Sequence, residues 1–347
     1  MSFLIYGASG YTGKLIVELS IKKGLKPVLA GRTESKIKPL ADKFGLKYLI
    51  FDLDNIENIV QNIENSPLVL NCAGPFSRTA KSIVEACLIS KTHYLDITGE
   101  IEVFEMIKSY DSKAKKNGII LVPGVGFDVV PTDCIAKYLS NKLPNSTHLE
   151  LAFTSVGGSI SHGTVTTMIE SLGNNGFVRE NGIIISKPMG YKGKWIDFGS
   201  IKQFAMTIPW GDISTAYSTT GIPNIETYVG VSESAYYVMK LQFLFNPILR
   251  TKFVKNLLQK YVDDKITGPN DSHFQNGKSL IYGKVTNAMG ELVEGRLETL
   301  EGYRLTAEAS VLITQKVLKL KGISGYQTPA GLFGHELILE IEGSKFI

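Results

Sequence analysis

The sequence has little of what marks secreted, membrane-spanning or nucleic-acid-binding proteins. Its three cysteines, Cys72, Cys87 and Cys134, show neither metal-binding nor redox spacing. No uncharged apolar run reaches about 18 residues, the length that a spanning helix needs. No basic segment with a small-residue cleavage site precedes the first strand. The net charge is only +4 and no Lys/Arg block occurs, so we expect no nucleic acid partner. These absences favour a reduced, cytoplasmic protein.

Three glycines spaced three apart follow an apolar strand at the start of the sequence. Phe3 to Tyr6 lead directly into Gly7-Ala8-Ser9-Gly10-Tyr11-Thr12-Gly13, and an amphipathic helix continues to Lys23. Glycines at such a turn let the backbone approach a pyrophosphate, and the helix N-terminus offers N–H groups and a positive dipole end. We predict a dinucleotide site here, with a purely structural glycine turn as the alternative.

The residues after the second strand indicate which dinucleotide is preferred. In NAD sites an acidic residue about 20 positions beyond the glycines holds the ribose hydroxyls. This sequence has Gly31-Arg32-Thr33 at that place, and a guanidinium beside a hydroxyl suits a 2′-phosphate. We therefore predict NADP, with NAD as the alternative cofactor and a solvated arginine as the alternative role of Arg32.

Length and patterning predict two domains. The chain has 347 residues, of which 44% are apolar, so it exceeds a usual single domain and can fill two cores. Up to residue 130, apolar strands alternate with helices, as in a parallel sheet covered on both faces. We predict an α/β fold: a doubly wound Rossmann domain over 1–130, to which 323–347 returns, and a second α+β domain with a mixed or antiparallel sheet over 131–322. In the second domain, 287–290 is predicted to be a hairpin turn.

Several sequence blocks resemble one group of oxidoreductases in order and spacing. Besides the glycine turn they are Asn71-Cys72-Ala73-Gly74-Pro75-Phe76, Tyr94-Leu95-Asp96-Ile97-Thr98-Gly99-Glu100 and Gly126-Phe127-Asp128-Val129-Val130-Pro131-Thr132-Asp133, with looser likeness at 161–164 and 328–334. The chain resembles the saccharopine dehydrogenase-like oxidoreductases, most of all the branch that includes trans-acting enoyl reductases. That resemblance implies reduction of the C=C of an acyl thioester or of a C=N in an amino-acid adduct.

The candidate cofactor contacts lie where strands of the first domain end, because a doubly wound sheet binds its ligand at that edge. They are Gly7, Ala8, Ser9, Gly10, Tyr11, Thr12, Gly13, Gly31, Arg32, Thr33, Asp52, Asn71, Ala73, Gly74, Pro75, Phe76, Gly99, Glu100 and Phe127. Small side chains at 73–74 give a dinucleotide room, and Pro75-Phe76 can wall the nicotinamide, unless the segment is a plain turn. Glu100 suits ribose hydroxyls, a substrate amine or a helix cap equally well.

Asp128 and His162 are the candidate catalytic residues. Reduction by hydride transfer needs a proton donor, which is either a side chain or water. Asp128 follows the sixth strand, where it can position the carboxamide, relay a proton or cap the helix from Pro131. His162 lies at a predicted helix start between Ser161 and Gly163-Thr164, with a purely structural histidine as the alternative.

Two other classes of protein stay open. The same glycine turn occurs in acyl-phosphate semialdehyde reductases, which need a cysteine thiolate, although Cys134 lacks the glycine and proline turn of such a nucleophile. A non-catalytic scaffold or membrane-associated sensor is the second class, because 235–262 interleaves large apolar residues with Lys and Arg. That stretch suits an anionic bilayer, an acyl chain, or a core or dimer-contact helix pair. We expect a homodimer with a small-molecule substrate and no metal.

Overall fold

A computed structural model describes residues 2–157, 169, 173–241, 245–265 and 277–347. The chain forms two compact units, Met1–Val130 with Tyr303–Phe333, and Pro131–Gly302 with Gly334–Ile347. Each unit is described separately below.

The first unit is built on a parallel sheet. Its described strands are β1 (Leu4–Tyr6), β2 (Val28–Gly31), β3 (Tyr48–Ile50), β4 (Leu68–Asn71), β5 (His93–Asp96), β6 (Ile120–Val122) and β15 (Gly325–Tyr326). They pair in the order β15-β6-β5-β4-β1-β2-β3, every pair parallel. Every residue of β1, β4 and β6 is buried, which explains why these strands are uninterrupted apolar runs. Because β1 pairs with both β2 and β4, the strand order reverses there, where such sheets bind ligands.

Helices cover this sheet and begin just after its strands end. They are α1 (Tyr11–Lys22), α2 (Glu34–Phe44), α3 (Ile56–Ile63), α4 (Phe76–Ser90), α5 (Ile101–Lys108), α6 (Asp111–Asn117), α12 (Gly302–Val317) and α13 (Pro329–Phe333). The buried face of α1 carries Ile16 and Val17, and that of α4 carries Ile83 and Val84.

The second unit is built on a mixed sheet. Its described strands are β7 (Ser146–Val156), β8 (Gly176–Glu180), β9 (Ile183–Lys187), β10 (Gly193–Asp197), β11 (Lys202–Thr207), β12 (Asn224–Gly230), β13 (Lys278–Asn287), β14 (Leu292–Leu300) and β16 (Lys345–Phe346). They run in the order β10-β11-β12-β7-β13-β14-β16, with β8 between β12 and β9. Only the β12–β7 pair is parallel among these described strands. The helices are α7 (Val130–Lys142), α8 (Asp212–Thr220), α9 (Glu233–Lys240), α10 (Asn246–Leu249), α11 (Lys252–Lys265) and a 3₁₀ helix, His335–Glu340.

The hairpin turn predicted at 287–290 joins β13 to β14. Asn287 Oδ1 accepts from the backbone N–H groups of Met289 and Glu291, both at 3.0 Å. An asparagine that bonds its own turn in this way explains why the short loop reverses the chain. None of the helices in the described ranges is long and apolar enough to cross a membrane.

The return of the chain to the first unit differs from the expected 323–347. It begins earlier, with α12, because Thr306 Oγ1 accepts from Phe127 N at 3.0 Å and Ser310 Oγ donates to Val125 O at 3.3 Å. It ends at Phe333, and Gly334, with a φ of +80°, separates α13 from the 3₁₀ helix. The last residues join the second unit, where the Phe346 ring stacks on Tyr138 at 4.6 Å.

Polar side chains on the second sheet pair with one another across strands. The Glu226 carboxylate accepts from the hydroxyls of Tyr191 and Tyr228 and from Lys192 Nζ. On the adjacent strand, Glu150 forms ion pairs with Lys194 and, at 3.5 Å, with Lys284. These groups therefore hold strands to each other.

Candidate functional site

The glycine turn between β1 and α1 has no space for side chains at two of its glycines. Gly7 has a φ of +81°, and a Cβ there would lie 2.7 Å from the backbone nitrogen of Ala73. A Cβ on Gly13 would lie 2.4 Å from the carbonyl oxygen of Gly7, and one on Gly10 would lie 3.3 Å from it. The backbones of the turn and of the loop after β4 therefore touch at the switch point of the sheet.

The turn presents the N-terminus of α1 outward. Gly10 is the N-cap residue and makes no side-chain cap, and the first turn carries no acidic residue. The first-turn N–H groups of any helix lack acceptors within the helix and carry partial positive charge. Gly10 and Tyr11 are exposed, and Ser9 and Thr12 are half-buried. This arrangement fits a phosphate group, whereas the Ala8 side chain is completely buried.

Arg32 lies beside this turn, at the end of β2. The N–H groups of Gly7 and Ala8 donate to Ala30 O at 2.9 and 3.3 Å, which ties the turn to that strand. Arg32 and Thr33 are exposed, and the Thr33 side chain makes no capping bond although it is the N-cap of α2. A charged fork and a hydroxyl thus follow one another after β2, and their chemistry suits a 2′-phosphate.

Gly31 gives α2 room to approach its strand, because a Cβ there would lie 3.0 Å from Ile37 Cδ1. Asp52 follows β3, and its Oδ1 accepts from the N–H of Asp54 at 3.2 Å. Burial raises the pKa of Tyr6 to about 12, and the charge of Asp52 contributes to this rise while Arg32 opposes it. The charges of Asp52 and Arg32 therefore both act on Tyr6, while contact of Asp52 with the cofactor stays a prediction.

Asn71, at the end of β4, holds the loop that follows it. Its Nδ2 donates to Thr79 Oγ1 at 3.2 Å and to the Tyr94 hydroxyl oxygen at 3.3 Å, and its Oδ1 accepts from Ala73 N at 3.0 Å. Thr79 Oγ1 in turn donates to Ala73 O at 2.6 Å. The Asn71 side chain is completely buried, so in this structure it positions the loop at Ala73.

A buried carboxyl group, Asp96, ties two further strand ends to the same network. It accepts from the Tyr94 hydroxyl at 2.8 Å and from the N–H groups of Thr98 and Gly124 at 3.0 and 2.9 Å. Burial raises the pKa of Asp96 to about 6, against the opposing effect of these donors. The roles of Tyr94, Asp96 and Thr79 were not predicted, although Tyr94 and Asp96 lie in one of the sequence blocks, because a motif does not tell which way a side chain faces.

Glu100 caps a helix, which was one of its three predicted roles, but the helix is α4 and not α5, which follows it in the chain. Its two carboxylate oxygens accept from the N–H groups of Phe76 and Ser77 at 2.8 and 2.9 Å. The preceding Gly74–Pro75 peptide bond is cis. Gly74 is exposed and Phe76 is half-buried, so this segment stands open at the sheet edge.

Asp128 lies against Gly99, at the ends of β5 and β6. A Cβ on Gly99 would lie 2.4 Å from Asp128 Oδ2, so glycine permits the approach. Burial, together with the nearby charge of Glu100, raises the pKa of Asp128 to about 7. A carboxyl group that titrates near neutrality can give or take a proton in catalysis. Phe127, beside it, is held through its backbone by Thr306.

The other chemical candidates are less informative. His162 lies outside the described residues. Cys134 is completely buried, and burial raises the pKa of its thiol, which disfavours the thiolate that a semialdehyde reductase needs. Within the described ranges, no group of three or more His, Cys, Asp or Glu side chains could hold a metal ion.

A known family model matches the part of the chain that forms this sheet edge. Residues 3–122 match the model of the saccharopine dehydrogenase NADP-binding domain. This part of the chain is therefore similar to that domain. The match confirms the resemblance predicted from the sequence blocks, and it confirms the predicted class of cofactor, a nicotinamide dinucleotide of the NADP type.

Relatives match larger or smaller parts of the chain. The human saccharopine dehydrogenase-like oxidoreductase is 26% identical over 202 residues, covering 51% of this chain and 47% of that protein. A lipid droplet localized protein of Caenorhabditis elegans is 25% identical over 307 residues, covering 75% and 71%. A putative trans-acting enoyl reductase of Mycobacterium tuberculosis is 29% identical over 182 residues, covering 49% and 43%. The matched part is thus about half the length of the human relative.

Solved structures confirm the fold class. Saccharopine dehydrogenase (L-Glu forming) from Saccharomyces cerevisiae has a TM-score of 0.68 at 11% identity, covering 100% of this chain and 99% of that one. Homospermidine synthase from Legionella pneumophila, in complex with NAD, has a TM-score of 0.66 at 10% identity, covering 100% and 91%. The α/β fold, with a doubly wound parallel sheet and a second mixed sheet, is therefore shared with both.

Proposed function

We propose that this protein is an NADP-dependent oxidoreductase that transfers a hydride between the cofactor and a small-molecule substrate. The glycine turn carries the proposal. A Cβ at Gly7 or Gly13 would collide with Ala73 or with the backbone of the turn itself, so glycine lets the turn close tightly before the N-terminus of α1, as in turns that bind a pyrophosphate. The dinucleotide supplies the hydride when bound, and Arg32 with Thr33 would hold the 2′-phosphate.

Asp128 is proposed as the group that supplies the proton in the direction of reduction. Hydride addition to a C=C or a C=N leaves one proton to be delivered, and a carboxyl group with a pKa of about 7 is half protonated at neutral pH. Gly99 leaves room for it, and burial, to which the charge of Glu100 adds, keeps its pKa high. Asp128 is thereby distinguished from an ordinary surface carboxylate.

An enoyl thioester is the favoured substrate class, with an imine as the second. A substrate with several carboxylates would need a cluster of available arginines. In the second unit, Arg179 Nε donates to Ile213 O at 2.7 Å, Arg250 Nε donates to Gly173 O at 2.8 Å, and Arg296 pairs with acidic side chains. These arginines serve the chain itself, which disfavours saccharopine as the substrate. The name of the mycobacterial relative, an enoyl reductase, supports the first class.

The proposal includes a cytoplasmic location, a homodimer, and contact with a membrane or an acyl chain through 235–262. The location is supported by the three cysteines, which form no disulfide. The dimer is supported by the prevalence of two-fold dimers among homo-oligomeric proteins. Light scattering at several concentrations would test it.

Binding and turnover test the proposed function in sequence. NADPH and NADH affinities are measured by titration for the wild type, for Arg32→Ala and for Lys38→Ala, which removes an exposed charge farther along α2. We expect about 10- to 100-fold weaker NADPH binding in Arg32→Ala, with NADH binding unchanged, and no effect of Lys38→Ala. Equal affinity of the wild type for both cofactors, unchanged in Arg32→Ala, contradicts the NADP assignment.

Oxidation of NADPH is then followed with enoyl thioesters and with imines. Turnover of either class identifies the reaction. Tight NADPH binding without turnover of any substrate in either class favours the non-catalytic scaffold or sensor instead.

A further inference from the structure

The helix α9 is attached to the second sheet by one of its sides. Tyr236 is only 6% exposed, and its ring centre lies 5.0 Å from that of Phe204 on β11. Met206 is buried in the same cluster, and Met239 packs against it. The inward side of α9 is thus already satisfied by core contacts.

Large apolar side chains nevertheless continue on the outward side and beyond the helix. Tyr237 is 58% exposed, Leu241 55%, Phe245 55% and Ile248 59%. On α11, Phe253 is 77% exposed and Leu257 59%. We call these six side chains the 237–257 surface. A helix pair in the core would bury these side chains. The prediction that 235–262 forms a core helix pair is therefore wrong for these residues.

The segment that carries this surface is fixed to the body of the second unit. Arg250, which follows α10, donates from Nε to Gly173 O at 2.8 Å. Gly173 has a φ of +82°, and a Cβ there would lie 2.9 Å from Arg250 Cγ. The two segments are therefore in close contact. Packing at Tyr236 and at Arg250 therefore holds the apolar side chains outward.

The segment between the outer ends of the two helices is basic, whereas Glu233 begins α9 and Asp263 and Asp264 lie near the end of α11. Residues 235–262 contain five basic residues and no acidic residue. On α11, Lys252 and Lys260 are exposed on the row next to Phe253 and Leu257, because positions four apart in a helix lie above one another. The apolar row of α11 therefore has ammonium groups beside it, on long flexible stems that can extend away from it.

This charge pattern discriminates between the two occupants that would cover such a surface. In a two-fold contact between identical copies the same patch faces itself, so lysines would meet lysines, and facing like charges disfavour a complex. An anionic membrane attracts the same lysines while its interface accepts the apolar side chains. The pattern thus favours lipid over a second copy.

We infer that the 237–257 surface docks on the interface of a membrane that contains anionic lipids. The six side chains of this surface enter the boundary between headgroups and acyl chains, and Lys252 and Lys260 contact lipid phosphates. The inference deepens the lipid contact of the proposed function by naming the side chains and the lipid charge. It does not depend on hydride transfer.

Vesicle sedimentation with the full chain tests the inference. The probes are vesicles of phosphatidylcholine alone and of phosphatidylcholine with 30% phosphatidylserine, a mole fraction chosen to give a roughly physiological surface potential. We expect binding to the anionic vesicles at least tenfold stronger than to the neutral ones, and weakened by salt. Equal binding to both vesicles, or no binding at low salt, overturns the inference.

Variants locate the contact. Phe253→Ser with Leu257→Ser should weaken binding at least tenfold. Lys252→Glu with Lys260→Glu should weaken it more than 20-fold, since each lysine near an anionic surface contributes about fivefold. The matched control is Met289→Ser with Leu292→Ser, which removes exposed apolar side chains from the hairpin at β13–β14 and should leave binding unchanged.

Two further measurements separate the outcomes. NADPH affinity should be unchanged in all three double variants, which shows that they fold and that lipid contact is separate from the cofactor site. If the wild type fails to bind vesicles and Phe253→Ser with Leu257→Ser converts a dimer into a monomer, a second copy is the occupant and the inference is wrong. Vesicle binding without turnover of any substrate would contradict only the reductase proposal.

Discussion

The two sheets use their polar side chains in opposite ways. In the first unit, Asn71 and Asp96 stand at strand ends and bond the backbone of loops that border the glycine turn. In the second unit, Glu226 and Glu150 stand within strands and bond side chains of the same strand, of other strands of the sheet or of the segment before β10. The first arrangement shapes loops for a ligand, and the second maintains the register of a sheet.

This difference explains why one unit could be interpreted chemically from its sequence and the other could not. Parallel topology brings successive strand ends to one edge, so short motifs there combine into a site. In a mixed sheet the neighbours of a side chain depend on the pairing of strands far apart in the chain. Polar residues of the two units should accordingly respond differently to substitution.

The largest expected effect is on NADPH affinity, when a side chain is added to the tightly packed glycine turn. Gly13→Ala places a Cβ against the Gly7 carbonyl oxygen, 2.4 Å away, whereas Gly10→Ala would meet the same oxygen at 3.3 Å. We expect about 100-fold weaker NADPH binding for Gly13→Ala, about 2.7 kcal/mol, and less than tenfold for Gly10→Ala. Fluorescence titration measures both, with circular dichroism as the check of folding. Equal effects would show that the approach is not required.

Asp128→Asn tests whether the first unit also carries acid-base chemistry. If Asp128 is the proton donor, kcat of the wild type falls as pH rises through about 7, because the acid loses its proton. The variant should lose about 100-fold in kcat and should show no such fall. A pH–rate profile that keeps the same inflection in Asp128→Asn would exclude this role.

The same group gives a signature in stability. A carboxyl whose pKa is higher in the folded than in the unfolded protein favours folding when protonated. Its contribution is therefore complete below about pH 4 and is lost as pH rises through about 7. Thermal melts from pH 4 to 8 should show a smaller decline in Asp128→Asn than in the wild type.

Tyr94→Phe probes the buried network without touching the glycine turn. Loss of the hydroxyl removes the donor to Asp96 Oδ2 and the acceptor to which Asn71 Nδ2 donates. We expect a stability loss of about 1–3 kcal/mol, because buried polar groups are left unpaired. The control is Tyr48→Phe, whose hydroxyl bonds Glu34 in an exposed position and which should cost less than about 0.5 kcal/mol. Similar melting temperatures for both variants would contradict the structural role of the network.

The smallest effect is expected in the second sheet. Glu226→Gln weakens three contacts at once, but the side chain of Lys192 is 53% exposed, so solvent screens its ion pair. We expect a loss of about 1 kcal/mol in stability and no change in NADPH affinity. Weaker NADPH binding in this variant would break the comparison between the two sheets.

Local patterns predicted much of the first unit. Its strands, the glycine turn and the helices that follow them depend on contiguous residues, as does the hairpin at 287–290. The strands β8, β10, β15 and β16 were not predicted, because they lack the continuous apolar runs that mark the strands of the first unit. The cap that Glu100 makes on α4 was not foreseen, because it depends on a partner elsewhere in the chain. Its acceptor role was predicted, but the helix it serves begins 24 residues earlier.

The Glu100 cap has a consequence for where phosphate groups can bind. Two helices, α1 and α4, begin at the strand ends that flank the switch point, and each N-terminus attracts an anion. The chain supplies its own anion to α4 in the form of this carboxylate, while α1 has neither a side-chain cap nor an acidic residue in its first turn. One resident negative charge thus leaves a single one of these two helix ends for the phosphates. A phosphate at the N-terminus of α4 would meet the Glu100 carboxylate, so the resident charge disfavours anion binding at that helix end by repulsion.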